Sequence, residues 1–498
     1  MEFFKNILKN LPDLKSILKS ISNNIDIEIS GITDIHKTNF IHTINKTINR
    51  PTLLIAPDEP SAQKFLSDFT VMGSRAAVYP AKDFNFHNID GQSKEYEHQR
   101  LKVLNKLINK ELDVVITCVD AAMQYTIPRE KLISSTFSIK IGMNISIKEI
   151  TKKLLDCGYE RYDQVEGDGQ FSIRGGILDF FTTSSKLPIR VEFWGDEIDS
   201  MSYFDINTQR RTESIEEITI SPAKEIIIDG NAELINHIET LIQQLSNEKY
   251  NQKSIETLQN ELEQLQTKQS IGSSDKFIKY IYKESHTLFN YLDDKSIIFI
   301  SEQAKVDDRI NANFMQWQED LSLYLEDGVL CKGLDKFNID KSQLLTFLSS
   351  KPVVYFDTFL THSYFTGIKK TLSINARQLP VWNGSLSLLY DDIASLPKNQ
   401  TLVIMAGTER SAMSTLEDLN ERGIHLNYVS KLKEIVPGTK YITQGAISSG
   451  FEYPDINFSL ITYGHFNQNT KKTKKKINKK SSIYSISDLT PGDYVVHS

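Results

Sequence analysis

The run Gly31-Ile32-Thr33-Asp34-Ile35-His36-Lys37-Thr38 has the frame of a phosphate-binding loop, G-x-x-x-x-G-K-T, with one break. In such a loop, backbone N–H groups face the phosphates, the lysine supplies positive charge and the threonine hydroxyl serves magnesium. His36 stands where the second glycine belongs. An imidazole beside a β-branched neighbour obstructs the backbone curl that glycine allows. The apolar run ahead of it, residues 27–29, reads as a strand, so the context is right while the loop is not. An apolar strand closed by Asp-Glu would supply the magnesium carboxylate. The best-placed candidate is Ile297-Ile298-Phe299-Ile300-Ser301-Glu302, where Ser301 takes the aspartate position. Two breaks in one site point to a nucleotide-binding fold kept without its ATPase. Chance matching of both is the plain alternative.

A second constellation lies on short strands farther along: Arg174, Arg190 and Trp194. Arginine beside an exposed aromatic is the composition of a protein-interface hot spot. The other reading puts Trp194 in a core and leaves the arginines as ordinary surface charges, and composition does not decide between them. Other chemistry has little to rest on. The 10 histidines form no H-x-x-H or H-E-x-x-H pair, and no G-x-S-x-G turn occurs, so zinc and serine-hydrolase readings lack their residues. Cys118, Cys157 and Cys331 show no metal-ligand spacing and cannot close a disulfide framework, which points to a reducing compartment.

The elements that must position these residues follow from pattern. The chain has 498 residues, 40% hydrophobic and 24% charged, a composition that excludes global disorder. At roughly 100–200 residues per domain, that length implies three to five domains. The balance of 57 basic and 64 acidic residues gives −7, so any nucleic-acid contact has to be local. No stretch reaches the roughly 18–20 apolar residues needed to span a bilayer. Residues 1–18 have helical apolar spacing with lysines throughout. Such a helix packs on its own domain or lies on a membrane, and packing is far the commoner use. A cytoplasmic protein without a membrane partner is expected.

Apolar runs at 52–57, 76–79 and 114–117 alternate with helical stretches at 61–69 and 96–107, which implies crossover units and a parallel sheet. The expected organisation is an α/β domain over 1–136, an inserted α+β domain over 137–225, and the first domain resumed over 226–350. A second small α/β domain covers 351–466. Residues 467–482 form a linker that includes the lysine run 471–480; it is read as solvated, with phosphate-backbone binding as the alternative. Residues 483–498 read as the start of a domain that is cut short.

Several stretches carry a resemblance. Residues 169–181 (GQFSIRGGILDFF), 188–198 (PIRVEFWGDEI), Phe204-Asp205 through Gln209-Arg210, and Pro222-Ala223-Lys224-Glu225 resemble a signature shared by the excision-repair protein UvrB and the bacterial transcription-repair coupling factor, Mfd. Ser449-Gly450-Phe451-Glu452-Tyr453-Pro454, before the lysine run, and Leu489-Thr490-Pro491-Gly492-Asp493-Tyr494-Val495-Val496-His497 are similar to the coupling factor and not to UvrB. The resemblance implies a UvrB-like, RecA-like α/β domain with a degenerate phosphate loop (Gly31, His36, Lys37, Thr38) and a degenerate carboxylate box (Ser301, Glu302). It implies that the insert recruits UvrA through two arginines and an aromatic, which fall on Arg174, Arg190 and Trp194. The family position usually holds Phe, so Trp194 is a departure that keeps the aromatic character. Residues 483–498 match only the opening of a domain that binds RNA polymerase.

That family's ATP- and magnesium-dependent DNA translocase lies beyond this stretch. The expectation is therefore a module of transcription-coupled nucleotide excision repair that recruits UvrA to lesion-stalled RNA polymerase, with no catalytic residue, metal or cofactor of its own. The competing enzymatic reading is a UvrB-like, ATP-binding damage-recognition protein that uses Lys37 and Thr38.

Overall fold

The computed structural model describes residues 1–463, apart from 85, 87–92, 229, 249, 269, 270, 273, 361, 363, 366, 383–385 and 398. The lysine run and the 483–498 stretch thus lie outside the described residues.

Runs such as Thr52–Ala56 (TLLIA) and Ile297–Ser301 (IIFIS) are apolar almost throughout and buried at every position. That is the signature of strands covered on both faces. They build a seven-stranded sheet in the order 370–373, 27–30, 353–357, 297–301, 52–56, 114–118, 76–79, and every pairing in it is parallel. Alternate side chains feed two cores. Leu54, Phe299 and Val354 face one of them, and Leu53, Ile300 and Tyr355 face the other. The N-terminal segments Phe4–Ile7 and Leu14–Ser22 bury Phe4, Ile7, Leu14, Ile17 and Ile21 in the first core, so their amphipathic pattern serves packing. Helices Ala232–Asn247 and Gln252–Lys268 cover the second core through Leu234, Ile238, Leu241, Ile255 and Leu258.

One expectation needs correction. A boundary at 350 cuts this sheet, because strand Val353–Asp357 lies between 27–30 and 297–301, and Lys370–Ser373 extends the sheet beyond 27–30. A strand buried on both faces and bonded on both edges belongs to its neighbours. The next sheet begins at Arg377–Leu379.

The insert enters and leaves through an antiparallel ladder of Phe137–Lys140 with Glu217–Ile220. Its six-stranded sheet runs 211–214, 197–204, 189–194, 177–180, 170–174, 160–161. Helix Ile147–Asp156 supplies Ile150 and Leu154 to a separate core with Phe171, Leu178, Ile189 and Val191. At its exit, Glu225 is buried against Arg100, whose guanidinium also lies 4.3 Å from the Tyr79 ring.

The C-terminal sheet has the order 377–379, 450–453, 458–462, 401–405, 440–443, 427–428. Helices Leu386–Ser395 and Glu409–Glu421 cover one face. Val403, Met405, Phe451, Tyr453 and Leu460 on the other face join the core that holds Ile35 and Phe40. The two sheets thus share continuous apolar packing. The architecture is multidomain α/β. No described helix is long and apolar enough to cross a membrane, and Cys118, Cys157 and Cys331 are buried without a disulfide.

Candidate functional site

Gly31 follows strand Ile27–Ser30 with φ +83°, and a side chain there would collide with the Ile374 carbonyl. Only Ile32 and Thr33 separate it from helix Asp34–Ile48. Lys37 and Thr38 therefore sit inside the helix, and no stretch of loop is left to cradle a phosphate. The helix starts early because Thr33 and His36 form a capping box: the Thr33 N–H donates to His36 Nδ1 at 3.3 Å. The ring of His36 packs edge-on against Phe451 and Tyr453, at 5.6 and 5.2 Å between centroids. Burial, opposed in part by the backbone of Glu452 and Arg377, lowers its pKa to about 4. The residue in the glycine position thus caps its own helix and receives the C-terminal sheet.

Lys37 is fully buried. Its ammonium pairs with Glu302, donates to Ser301 Oγ at 3.1 Å and lies 3.4 Å from Asp34 Oδ1. The Thr38 hydroxyl donates to the Asp34 carbonyl at 2.9 Å. Glu302, in the left-handed region at φ +61°, also accepts from the Thr358 N–H and hydroxyl. Burial pushes its carboxyl up, but Lys37 and these hydrogen bonds prevail and hold it below its ordinary value. Beside it, the Gln303 N–H and side-chain amide both donate to Asp357, at 2.9 and 2.7 Å. The two candidate nucleotide stretches therefore do meet, across strand Val353–Asp357. They meet in a neutralised cluster, and a phosphate would have to displace Glu302 from Lys37. No group of three or more His, Cys, Asp or Glu that could hold a metal occurs among the described residues. Sequence reasoning missed Asp34, Thr358 and Asp357; an apolar run closing in Asp at 353–357 was the available signal for the last.

In the insert, strand register fixes the second constellation. Arg174 lies opposite Ile177, Ile177 opposite Glu192, and Asp179 opposite Arg190. Alternation then puts Arg174, Arg190, Glu192 and Trp194 on one face, away from the core built by Leu178, Ile189 and Val191. Trp194 ends its strand at the Gly195 turn and is 83% exposed. Arg174 is exposed and donates to the Asp163 carbonyl at 2.8 Å. Arg190 is different. Its guanidinium forms two 2.8 Å hydrogen bonds with the Asp179 carboxylate and lies 4.7 Å from the Phe204 ring. It braces the sheet beneath the exposed pair instead of standing free.

The UvrB interaction domain, as a family model, matches residues 137–226. Over all of its length, the chain is 27% identical to the transcription-repair-coupling factor of Bacillus subtilis (strain 168) and covers 43% of that protein. Over 96% of its length it is 24% identical to the transcription-repair-coupling factor of Staphylococcus aureus (strain USA300), covering 42% of it. The chain thus spans less than half the length of these relatives. From end to end the chain is similar to the first part of a transcription-repair-coupling factor's length, and residues 137–226 match the UvrB interaction domain.

Proposed function

We propose that the chain is the UvrA-recruiting module of transcription-coupled nucleotide excision repair. The observation that carries this reading is that exposed Trp194 and exposed Arg174 share one sheet face of the domain that matches the UvrB interaction domain. Trp194 supplies the apolar anchor and Arg174 a charge that a carboxylate can meet, while Arg190 holds the strands in register. RNA polymerase stalled at a DNA lesion is the proposed destination of the recruited UvrA. The working division is a UvrB-like α/β body extended to about 373, the 137–225 insert, a small C-terminal α/β domain, and the basic segment beyond, all acting in the cytoplasm.

The UvrB-like nucleotide locus is proposed to be a structural joint. The order of the sheet supports its derivation from a phosphate-loop fold, since the ends of strands 27–30 and 297–301 flank strand 353–357. The burial of Lys37 against Glu302 speaks against nucleotide binding there. Pull-down of UvrA by the whole chain tests the recruitment reading. Trp194→Ala and Arg174→Ala should each lower retained UvrA about tenfold or more, and binding equal to the parent in both would sink it.

A further inference from the structure

A cavity of about 360 Å³ opens on the C-terminal sheet, outside both loci above. Strand Thr401–Met405 is central there, with parallel neighbours at Phe458–Thr462 on one side and Lys440–Thr443 on the other. The chain leaves it through Gly407 into helix Glu409–Glu421, builds 427–428 and 440–443 on one side, then crosses to 450–462 on the other. Strand order reverses at 401–405. The crevice outside the carboxyl ends of strands at such a reversal is where open α/β sheets bind ligands.

The walls have distinct chemistry. Thr408, Arg410, Ser411, Thr415 and Asp418 line one side, from the cap and first turns of the helix, and Trp382 and Tyr463 line the other. The two aromatic rings lie 4.4 Å apart between centroids. Thr415 is only 6% exposed, lines the cavity and makes no side-chain hydrogen bond among the described residues. Its hydroxyl opens onto the cavity, so a ligand seated there can hydrogen-bond with it. Arg410 is exposed and has no ion pair among the described residues. It sits at the helix start, where free N–H groups and the helix dipole favour an anion. Asp418 lies eight residues along the helix, hence about 12 Å away at 1.5 Å per residue.

We infer that this cavity binds a phosphorylated nucleoside. The phosphoryl group sits at the helix start beside Arg410, the base lies against Trp382 and Tyr463, and sugar or base donors face Thr415 and Asp418. A positive end, an aromatic wall and a negative end about 12 Å apart match the length of a mononucleotide. Inorganic phosphate would use only the first of these features, and a free nucleoside only the other two.

Isothermal titration of the whole chain with AMP, CMP, GMP and UMP, with the matching nucleosides, and with inorganic phosphate tests the assignment. At least one monophosphate should bind saturably, and Arg410→Ala and Tyr463→Ala should each weaken it about tenfold. Thr415→Val, which keeps the shape and removes the hydroxyl, should weaken it about threefold or more. Three results would overturn the inference. One is no saturable binding at about 1 mM ligand. Another is binding matched by inorganic phosphate, which would mean an adventitious anion only. The third is binding unchanged in both Arg410→Ala and Tyr463→Ala, which would place the nucleotide elsewhere.

Discussion

Lys37 and Glu302, 265 residues apart in sequence, form an ion pair, the lysine fully buried and the glutamate partly so, where the helix after strand Ile27–Ser30 meets the end of strand Ile297–Ser301. The pair joins two segments of the parallel sheet that are distant in sequence, and in the proposed reading it fills the degenerate nucleotide locus.

Removing Lys37 leaves the Glu302 carboxylate partly buried without its counter-charge. Lys37→Met should therefore lower stability by about 1–3 kcal/mol, and Lys37→Met with Glu302→Gln should regain most of that loss. The Glu302 carboxyl sits below its ordinary pKa in the folded chain. Its contribution is present above the unfolded glutamate pKa and fades as pH falls through the folded one, so the deficit of Lys37→Met should shrink in acid. Urea unfolding at neutral and acidic pH measures both. A midpoint for Lys37→Met equal to the parent at neutral pH contradicts the pair's importance.

Arg190 and Trp194 should separate under mutation. Arg190→Ala strands the buried Asp179 carboxylate and uncovers Phe204, which should lower the stability of the insert by about 2–3 kcal/mol. Trp194 is too exposed for its loss to matter to folding, so Trp194→Ala should stay within about 0.5 kcal/mol of the parent. Thermal unfolding alongside UvrA pull-down distinguishes a structural loss from an interface loss. Unaltered stability in Arg190→Ala would make it a free contact residue after all.

The same contrast shows how much of the molecule was legible in the sequence. Period-2 alternation and glycine turns sufficed to place Arg174, Arg190 and Trp194 on short strands, and register then follows from the turns. The engagement of Arg190 was hidden, because Asp179 becomes its neighbour only through pairing across strands. The break at His36 was visible, but its purpose was not. A capping box normally reads Ser/Thr-x-x-Glu/Gln, and here an imidazole takes the last position. The partners Phe451 and Tyr453 come from a stretch recognised only by its likeness to relatives. The end of the first domain was misplaced because a buried parallel strand looks the same whichever sheet it joins.

His36, His42 and His98 each have a pKa lowered to about 4, with burial as the main cause. Between about pH 4 and 6.5 the unfolded chain binds more protons at these positions than the folded one, so stability should fall as the solution is acidified through that window. His36→Gln keeps a residue able to complete the capping box and removes one titrating group. The slope of stability against pH should then flatten by up to about 1.4 kcal/mol per pH unit. A parallel pair of pH profiles would refute the role of His36.

Asp168 should behave oppositely. Burial raises its carboxyl to about 6, with Lys102 pulling it down and Glu95 pushing it up. A raised carboxyl stabilises the fold below the unfolded pKa, and that advantage is lost as pH rises through the folded value. Above that point an ionised, half-buried carboxylate remains. Asp168→Asn should therefore be more stable than the parent by about 1–2 kcal/mol at pH 8 and no better below about pH 4. Chemical unfolding at the two pH values checks this, and a difference independent of pH would remove the carboxyl as its cause.

Restoring the motif residues should not restore a nucleotide site. His36→Gly with Ser301→Asp recreates the letters of both boxes, yet the loop stays short because only Ile32 and Thr33 separate Gly31 from helix Asp34–Ile48. The Ile374 backbone still crowds Gly31, and a new aspartate beside Glu302 gives Lys37 one more anion to hold it. The substitution also removes the cap and the ring packed on Phe451 and Tyr453, which should cost about 2–4 kcal/mol. Titration of the double variant with Mg-ATP should show no saturable heat, together with an earlier urea midpoint. Saturable binding that disappears on further Lys37→Ala would show instead that the locus lacks only its two consensus residues, because the fold around it could then open a phosphate loop without moving the C-terminal sheet away.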